Sequence, residues 1–172
     1  NNYLASVYIQ ENKAGIAYLD VTTGEFAGTQ IEGEDVQAQV RSELMRINPS
    51  ETLHSEAQVL GNSLPGTQTP VPNWYYEPGR AEELMKSVFG VSSLDGYGLH
   101  DQALTVQAAG ALLKYLQETR RDALKALSGF TTYSLADFMV LDAETRRNLE
   151  LTETLRENKV EGSLLSVLDN TR

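Results

Sequence analysis

The sequence predicts an α/β domain with a mixed sheet, in which an antiparallel meander of three strands is followed by alternating helices and strands. Short runs of β-branched and aromatic residues, separated by turn residues, fill residues 3–31. After Gly33 the apolar residues recur at helical spacing instead. The 172 residues, 41% of them apolar, suffice for a core, and the absence of Cys excludes disulfides and Cys-based zinc sites.

The meander comprises residues 3–9, 16–21 and 25–31. Turn residues at 11–15 and 22–24 separate these runs, and connections this short join antiparallel neighbours. The first two strands are almost continuously apolar, which predicts that both faces of the sheet are covered.

An amphipathic helix is predicted from Val36 to Ile47, with Pro49 ending it. Residues 51–54 predict a short buried strand, and the prolines and glycines of residues 61–73 predict a loop. The aromatic run Trp74-Tyr75-Tyr76 could stack nucleic-acid bases, but it lacks interleaved Lys or Arg. A strand that buries alternate rings is therefore the preferred interpretation.

Residues 78–89 are predicted to form a helix, and its local signals are the clearest in the sequence. Pro78 suits its first turn, and Gly90 suits its end. After a turn-rich connector, Asp101 is predicted to cap a long helix that continues through Leu116. Gly110 lies in the middle of this helix, where glycine costs about 1 kcal/mol relative to alanine. We therefore expect the helix backbone to pack closely against the sheet at Gly110.

Beyond Thr119 the pattern changes. Residues 133–142 are predicted to be extended, and residues 143–155 and 163–168 to be helical. These elements are too few to close a core of their own. The element order over residues 1–119 resembles the ribonuclease H-like fold, which hosts nucleases, kinases and adaptors alike.

The charge distribution argues against a nucleic-acid clamp. The net charge is −10, and residues 1–119 hold 15 acidic and six basic residues. A DNA-binding surface needs a basic face, because duplex affinity comes largely from neutralised phosphates. No apolar stretch approaches the roughly 20 residues that span a bilayer, so we expect no membrane contact and a cytoplasmic location.

The ribonuclease H-like element order raises one catalytic alternative, a metal-dependent nuclease. Such an enzyme clusters carboxylates around two Mg²⁺ ions, and Asp20 and Glu25, with Asp95 or Asp101, are the candidates. The first strand supplies no carboxylate, however, and Asp20 before a Thr-Thr-Gly turn is better explained as a turn residue that bonds the backbone.

Other catalytic and cofactor patterns are weak. His54 and His100 are distant in sequence and have no Cys or second His at ligand spacing, so we expect His54 to be a satisfied, partly buried side chain. Gly96-Tyr97-Gly98 is a loop and not a phosphate-binding motif, and no P-loop occurs in the sequence. We therefore expect no cofactor and no catalytic residue.

Several stretches, read together and in order, resemble the MutS family of DNA mismatch repair proteins. The most specific are LDAETRRNLEL at 141–151 and GSLLSVLDNT at 162–171. The others lie at residues 2–5, 17–26, 89–90 and 108–119. The resemblance covers nearly the whole chain, apart from the loop at residues 57–72.

The resemblance implies that residues 1–119 are the ribonuclease H-like connector domain and that residues 120–172 begin the helical core, or lever, domain. The chain would then be an internal, non-catalytic fragment. The mismatch-binding module would precede it, and the module that binds ATP and Mg²⁺ would follow it. The complete protein would bind mismatched DNA and dimerise.

The resemblance also implies that the connector offers a docking surface to the repair protein MutL. We predict this surface on the exposed side of the helix at residues 78–89. Its polar residues lie opposite an apolar stripe that the core is expected to bury completely. The predicted docking residues are Arg80, Glu82, Glu83 and Lys86. A merely solvated helix face remains the alternative interpretation.

Overall fold

The computed structural model describes residues 2–137, which form a six-stranded mixed sheet with helices on both faces. The strands lie in the order β5-β4-β1-β2-β3-β6. The strands are β1 (Tyr3–Gln10), β2 (Lys13–Asp20), β3 (Phe26–Glu32), β4 (Glu51–Ser55), β5 (Thr67–Val71) and β6 (Thr131–Thr132). The α-helices are α1 (Val36–Ile47), α2 (Pro78–Phe89), α3 (Ala103–Thr119) and α4 (Arg121–Leu124). Short 3-10 helices cover Asn73–Tyr76, Asp95–Tyr97 and Leu135–Asp137.

The predicted α/β class and the antiparallel meander are confirmed. β1 pairs with β2, and β2 with β3, in antiparallel register, with Val7 opposite Ile16 and Ala17 opposite Gly28. β4 then pairs parallel to β1, which the intervening helix α1 makes possible. Both faces of the central strands are buried, as their continuous apolar character predicts.

The loop predicted over residues 61–73 is wrong in its second half. Residues Thr67–Val71 form β5, which pairs parallel to β4. Pro70 is tolerated because β5 is an edge strand, where one side of the backbone needs no ladder partner.

The strand predicted at Trp74-Tyr75-Tyr76 is also wrong. Asn73–Tyr76 is a 3-10 turn that buries Tyr75 and Tyr76 together and leaves Trp74 exposed. β5 ends at Val71 and α2 begins at Pro78, so residues 72–77 connect the sheet to a helix and turn instead of continuing along a strand.

The helix predicted at residues 78–89 is confirmed as α2. Pro78 occupies its first turn, and Gly90 follows it in the left-handed conformation. α2 lies against α3, which in turn covers one face of β1 and β2. The residues of α2 that are fully buried in this packing are Ala81 and Met85, whereas Leu84 is half-buried.

Gly110 does allow a close approach, but its neighbour is α2 and not the predicted sheet. A Cβ placed on Gly110 would lie 2.4 Å from the Cβ of Ala81. The glycine that lets α3 approach the sheet is Gly15 of β2, where a Cβ would lie 2.0 Å from the carbonyl oxygen of Leu104. Each of these contacts needs a residue without a side chain.

Asp101 does not cap α3. Its backbone has a φ of 58°, outside the extended region that an N-cap residue adopts, and the capping position falls to Gln102. The open N–H of Leu104 in the first turn is satisfied instead by the side chain of Gln30 from β3, at 3.1 Å.

Past Thr119 the chain returns to the sheet. The first compact unit spans Asn1–Ser134 and includes α4 and β6, the latter paired with β3. The strand-like or extended segment predicted at 133–142 is wrong at Leu135–Asp137, which form a 3-10 helix, and residues 138–142 lie outside the described residues. The helices predicted at 143–155 and 163–168 also lie outside the described residues. The proposed division between residues 119 and 120 remains a prediction.

Candidate functional site

The two carboxylates considered as nuclease ligands are engaged in internal hydrogen bonds. Asp20, at the end of β2, is 1% exposed, and its Oδ1 accepts from the Thr22 amide at 2.9 Å and from the Thr22 hydroxyl at 2.5 Å. These bonds lower the pKa of the Asp20 carboxyl below its ordinary value. Asp20 is therefore the turn residue that its Thr-Thr-Gly context predicts.

Glu25 follows the same turn and is held by two tyrosines. Its carboxylate accepts from the hydroxyl of Tyr3 at 3.2 Å and from that of Tyr18 at 3.1 Å. Among residues 2–137, no group of three or more His, Cys, Asp and Glu residues is arranged to hold a metal ion. The geometry of Asp20 and Glu25 therefore gives no support to the nuclease interpretation.

The remaining candidates are surface or core side chains. His100 and Asp101 are both exposed, and His100 Nε2 lies 3.4 Å from Asp101 Oδ2. Asp95 begins a separate exposed 3-10 turn. His54, at 9% exposure, donates from Nδ1 to the Ser55 carbonyl at 2.9 Å. It is the satisfied, partly buried side chain that its position in a strand predicts.

Of the four predicted docking residues, Arg80, Glu82 and Glu83 are exposed on α2 and Lys86 is partly buried, and all four take part in ion pairs. Arg80 pairs with Glu77 at 2.8 Å. Lys86 pairs with Glu82 at 2.6 Å and lies 3.9 Å from Glu83. The bond to Glu82 raises the pKa of the Lys86 ammonium above its ordinary value.

These ion pairs leave different amounts of charge accessible. The side chain of Glu83 is 79% exposed, whereas that of Lys86 is only 23% exposed. Exposed pairs at helical spacing contribute little to stability. The charge of Glu83 is therefore accessible to a partner, whereas that of Lys86 is largely covered.

A pocket beside this face is the feature that sequence reasoning missed. It has a volume of about 200 Å³ between α2, α3 and the 3-10 turn before α2. Trp74 is 44% exposed at its edge, with Arg80 at 5.5 Å and Lys114 at 5.4 Å from the ring centroid. Tyr75, Ala81 and Leu84 contribute its apolar lining.

The sequence contains one signal for this pocket. The two prolines around the aromatic run indicate a turn, and a turn cannot bury three consecutive rings in one core. The sequence does not predict that Lys114 lies near Trp74, because only the packing of α3 against α2 brings the two side chains together.

No helix in residues 2–137 combines the length and the apolar character that a membrane crossing requires. The first compact unit is a mixed α/β domain. Its charged helix α2 lies beside the aromatic pocket at Trp74. A family model described as MutS domain II matches residues 2–128.

Curated relatives match along the whole chain. The DNA mismatch repair protein MutS of Trichodesmium erythraeum is 42% identical over 99% of this chain, and that of Lachnoclostridium phytofermentans is 38% identical over 100%. The MutS protein of Syntrophomonas wolfei is 39% identical over 100%. The chain belongs to the MutS family of DNA mismatch repair proteins and contains their domain II, the connector. It spans about a fifth of the length of these relatives.

Proposed function

We propose that this chain serves as the non-catalytic connector of a mismatch repair protein. It would join a mismatch-binding module to the core and ATPase modules, and residues 120–172 would begin the core. The family match supports this role, as do the carboxylates of Asp20 and Glu25, which are engaged in internal hydrogen bonds. The complete protein would act in the cytoplasm, bind mismatched DNA, dimerise, and use ATP and Mg²⁺ at sites outside this chain.

We further propose that the connector docks MutL on the exposed side of α2. The observation that carries this proposal is the division of α2 into two faces. Ala81 and Met85 are committed to the core, while Arg80, Glu82, Glu83 and Lys86 carry charge on the outer side. Peripheral charges of this kind mainly set the association rate and its salt dependence.

Charge reversal in the full-length protein tests the docking surface. We expect Glu83→Lys combined with Lys86→Glu to slow MutL recruitment to mismatch-bound protein, with mismatch binding and ATP hydrolysis near normal. The matched control is Lys13→Glu with Glu32→Lys, which reverses an exposed 3.0 Å pair on β2 and β3. Equal recruitment by the test and control variants at low and high salt would place the docking surface elsewhere.

A further inference from the structure

A cluster of tyrosines and charged residues joins the beginning of β1 to the segment after β6. We call it the tyrosine clamp. Its members are Tyr3, Tyr18, Glu25, Glu43, Arg46 and Tyr133. They come from β1, β2, the turn before β3, helix α1 and the segment after β6, so that distant parts of the sequence meet around Tyr18.

Tyr18 is the centre of the clamp. Its ring lies 5.3 Å from that of Tyr3 in an edge-to-face arrangement, and 6.0 Å from that of Tyr133. Aromatic pairs at these distances and angles attract each other beyond the area that they bury. The hydroxyls of Tyr3 and Tyr18 also share the carboxylate of Glu25.

Burial and Glu25 both favour the neutral Tyr18 side chain. Desolvation is the larger effect and the negative charge of Glu25 the next, and together they raise the pKa of Tyr18 to about 12. The hydroxyl therefore remains a hydrogen-bond donor to Glu25 throughout the physiological pH range.

Glu43 secures the other side of the clamp. It is 3% exposed, yet it accepts from Arg46 Nε at 2.9 Å, from Arg46 Nη2 at 2.6 Å and from the Tyr133 hydroxyl at 2.5 Å. A carboxylate buried to this degree is costly unless such donors surround it. The guanidinium of Arg46 also lies 5.5 Å from the centroid of the Tyr133 ring.

β6 is an edge strand with a short backbone pairing, so side chains contribute more to holding it than they would in a long strand. β6 pairs with β3 through only Thr131 and Thr132, and the Tyr133 amide adds one bond to the Gly28 carbonyl at 3.1 Å. A two-residue ladder gives few hydrogen bonds against the entropy of ordering the segment. Tyr133, held by Tyr18, Glu43 and Arg46, supplies anchoring that the ladder lacks.

We propose that the tyrosine clamp couples the position at which the chain leaves the sheet, after Tyr133, to the start of β1 at Tyr3, with Tyr18 as the coupling residue. This inference rests on the proposed linking role. A connector clamped in this way passes a displacement from one attachment point to the other. Without the clamp, a displacement at Tyr133 would not reach Tyr3.

Amide hydrogen exchange of the 172-residue chain tests the coupling. We expect Tyr3→Leu to accelerate exchange of the Tyr133 amide by about tenfold, while the amides of β4 change less than about twofold. In a Tyr18→Leu background, the same Tyr3→Leu substitution should add nothing further. The matched control is Tyr115→Leu, which removes another tyrosine that donates to a carboxylate, Glu51 at 2.9 Å, and should leave the Tyr133 amide unchanged.

The reciprocal measurement needs no substitution at Tyr18. Coupling works in both directions, so Tyr133→Leu should accelerate exchange of the Asp20 amide, which donates to the Glu25 carbonyl at 2.8 Å. An unchanged Asp20 amide overturns the proposal, as does equal acceleration by Tyr3→Leu in both Tyr18 backgrounds. Uniform acceleration of every amide also overturns it, since that result means global destabilisation without a specific link.

Failure of the clamp and failure of the docking proposal are distinguishable. The clamp is measured in this chain by exchange at Tyr133 and Asp20, whereas docking is measured in the full-length protein by MutL recruitment after charge reversal on α2. If amide exchange shows no coupling, while charge reversal at Glu83 and Lys86 slows MutL recruitment as expected, the clamp alone is refuted.

Discussion

The buried carboxylates Asp20 and Glu43 show what individual acidic residues do in this domain. Asp20 closes the turn after β2 by accepting two bonds from Thr22. Glu43 accepts from Arg46 within α1 and from the Tyr133 hydroxyl, and so ties α1 to the segment after β6. In both cases internal donors occupy the carboxylate, so a chain with a net charge of −10 can bury acids without assembling a metal site from them.

The pH dependence of stability should report the role of Asp20. Its folded-state pKa is lowered, so its bonds stabilise the fold above the ordinary value of 3.8 and are lost as the pH falls through the folded-state pKa. We expect Asp20→Asn to lower the free energy of unfolding near neutral pH, with the difference shrinking below the ordinary pKa. Urea unfolding across this range measures it, and Asp122→Asn, on an exposed pair, is the control. A difference that is independent of pH would contradict the assignment.

Truncations on α2 should separate its buried and half-buried positions. Met85 is 0% exposed, whereas Leu84 borders the Trp74 pocket. Met85→Ala should therefore cost about 2–5 kcal/mol of unfolding free energy, and Leu84→Ala clearly less, because its site is already open to solvent on one side. Urea unfolding of the two variants checks this order. An equal or larger loss at Leu84 would mean that the pocket is closed in solution.

At the scale of elements, the contact between α2 and α3 depends on Gly110. We expect Gly110→Ala to destabilise the chain by about 1–3 kcal/mol, because the new methyl group would overlap Ala81. Adding Ala81→Gly should restore part of the loss. Gly79→Ala is the matched control, since no atom lies within 4 Å of its added Cβ, and it should be neutral or stabilising. Thermal unfolding measures all four proteins, and equal effects at Gly110 and Gly79 would remove the close-contact argument.

The elements also show where sequence reasoning succeeds. α2 could be predicted because Pro78, Gly90 and its apolar spacing are local signals that agree with one another. β5 could not, since it exists through pairing with β4, and its proline resembles a loop residue in isolation. The same limit applies to the site: the charged residues of α2 follow from helical periodicity, whereas the Trp74 pocket depends on Lys114, which only tertiary packing brings near.

At the scale of the whole molecule, charge limits what the chain can bind. Residues 1–119 hold 15 acidic and six basic residues, and Lys13, Arg46, Arg80, Lys86 and Lys114 of those six are already paired with or near carboxylates. DNA affinity needs cations that release counterions from phosphates. We therefore expect this acidic domain to contribute little to phosphate binding.

Binding of DNA by the isolated chain tests this separation of roles. We expect no complex with either homoduplex or mismatched DNA at physiological salt, meaning a dissociation constant weaker than about 10⁻⁵ M, within the usual non-specific range. A mobility-shift titration measures it, and the full-length protein serves as the positive control. Tight binding that weakens steeply with added salt would show that basic residues of this chain contact phosphates. Assignment of the chain to a purely linking and docking role would then be wrong.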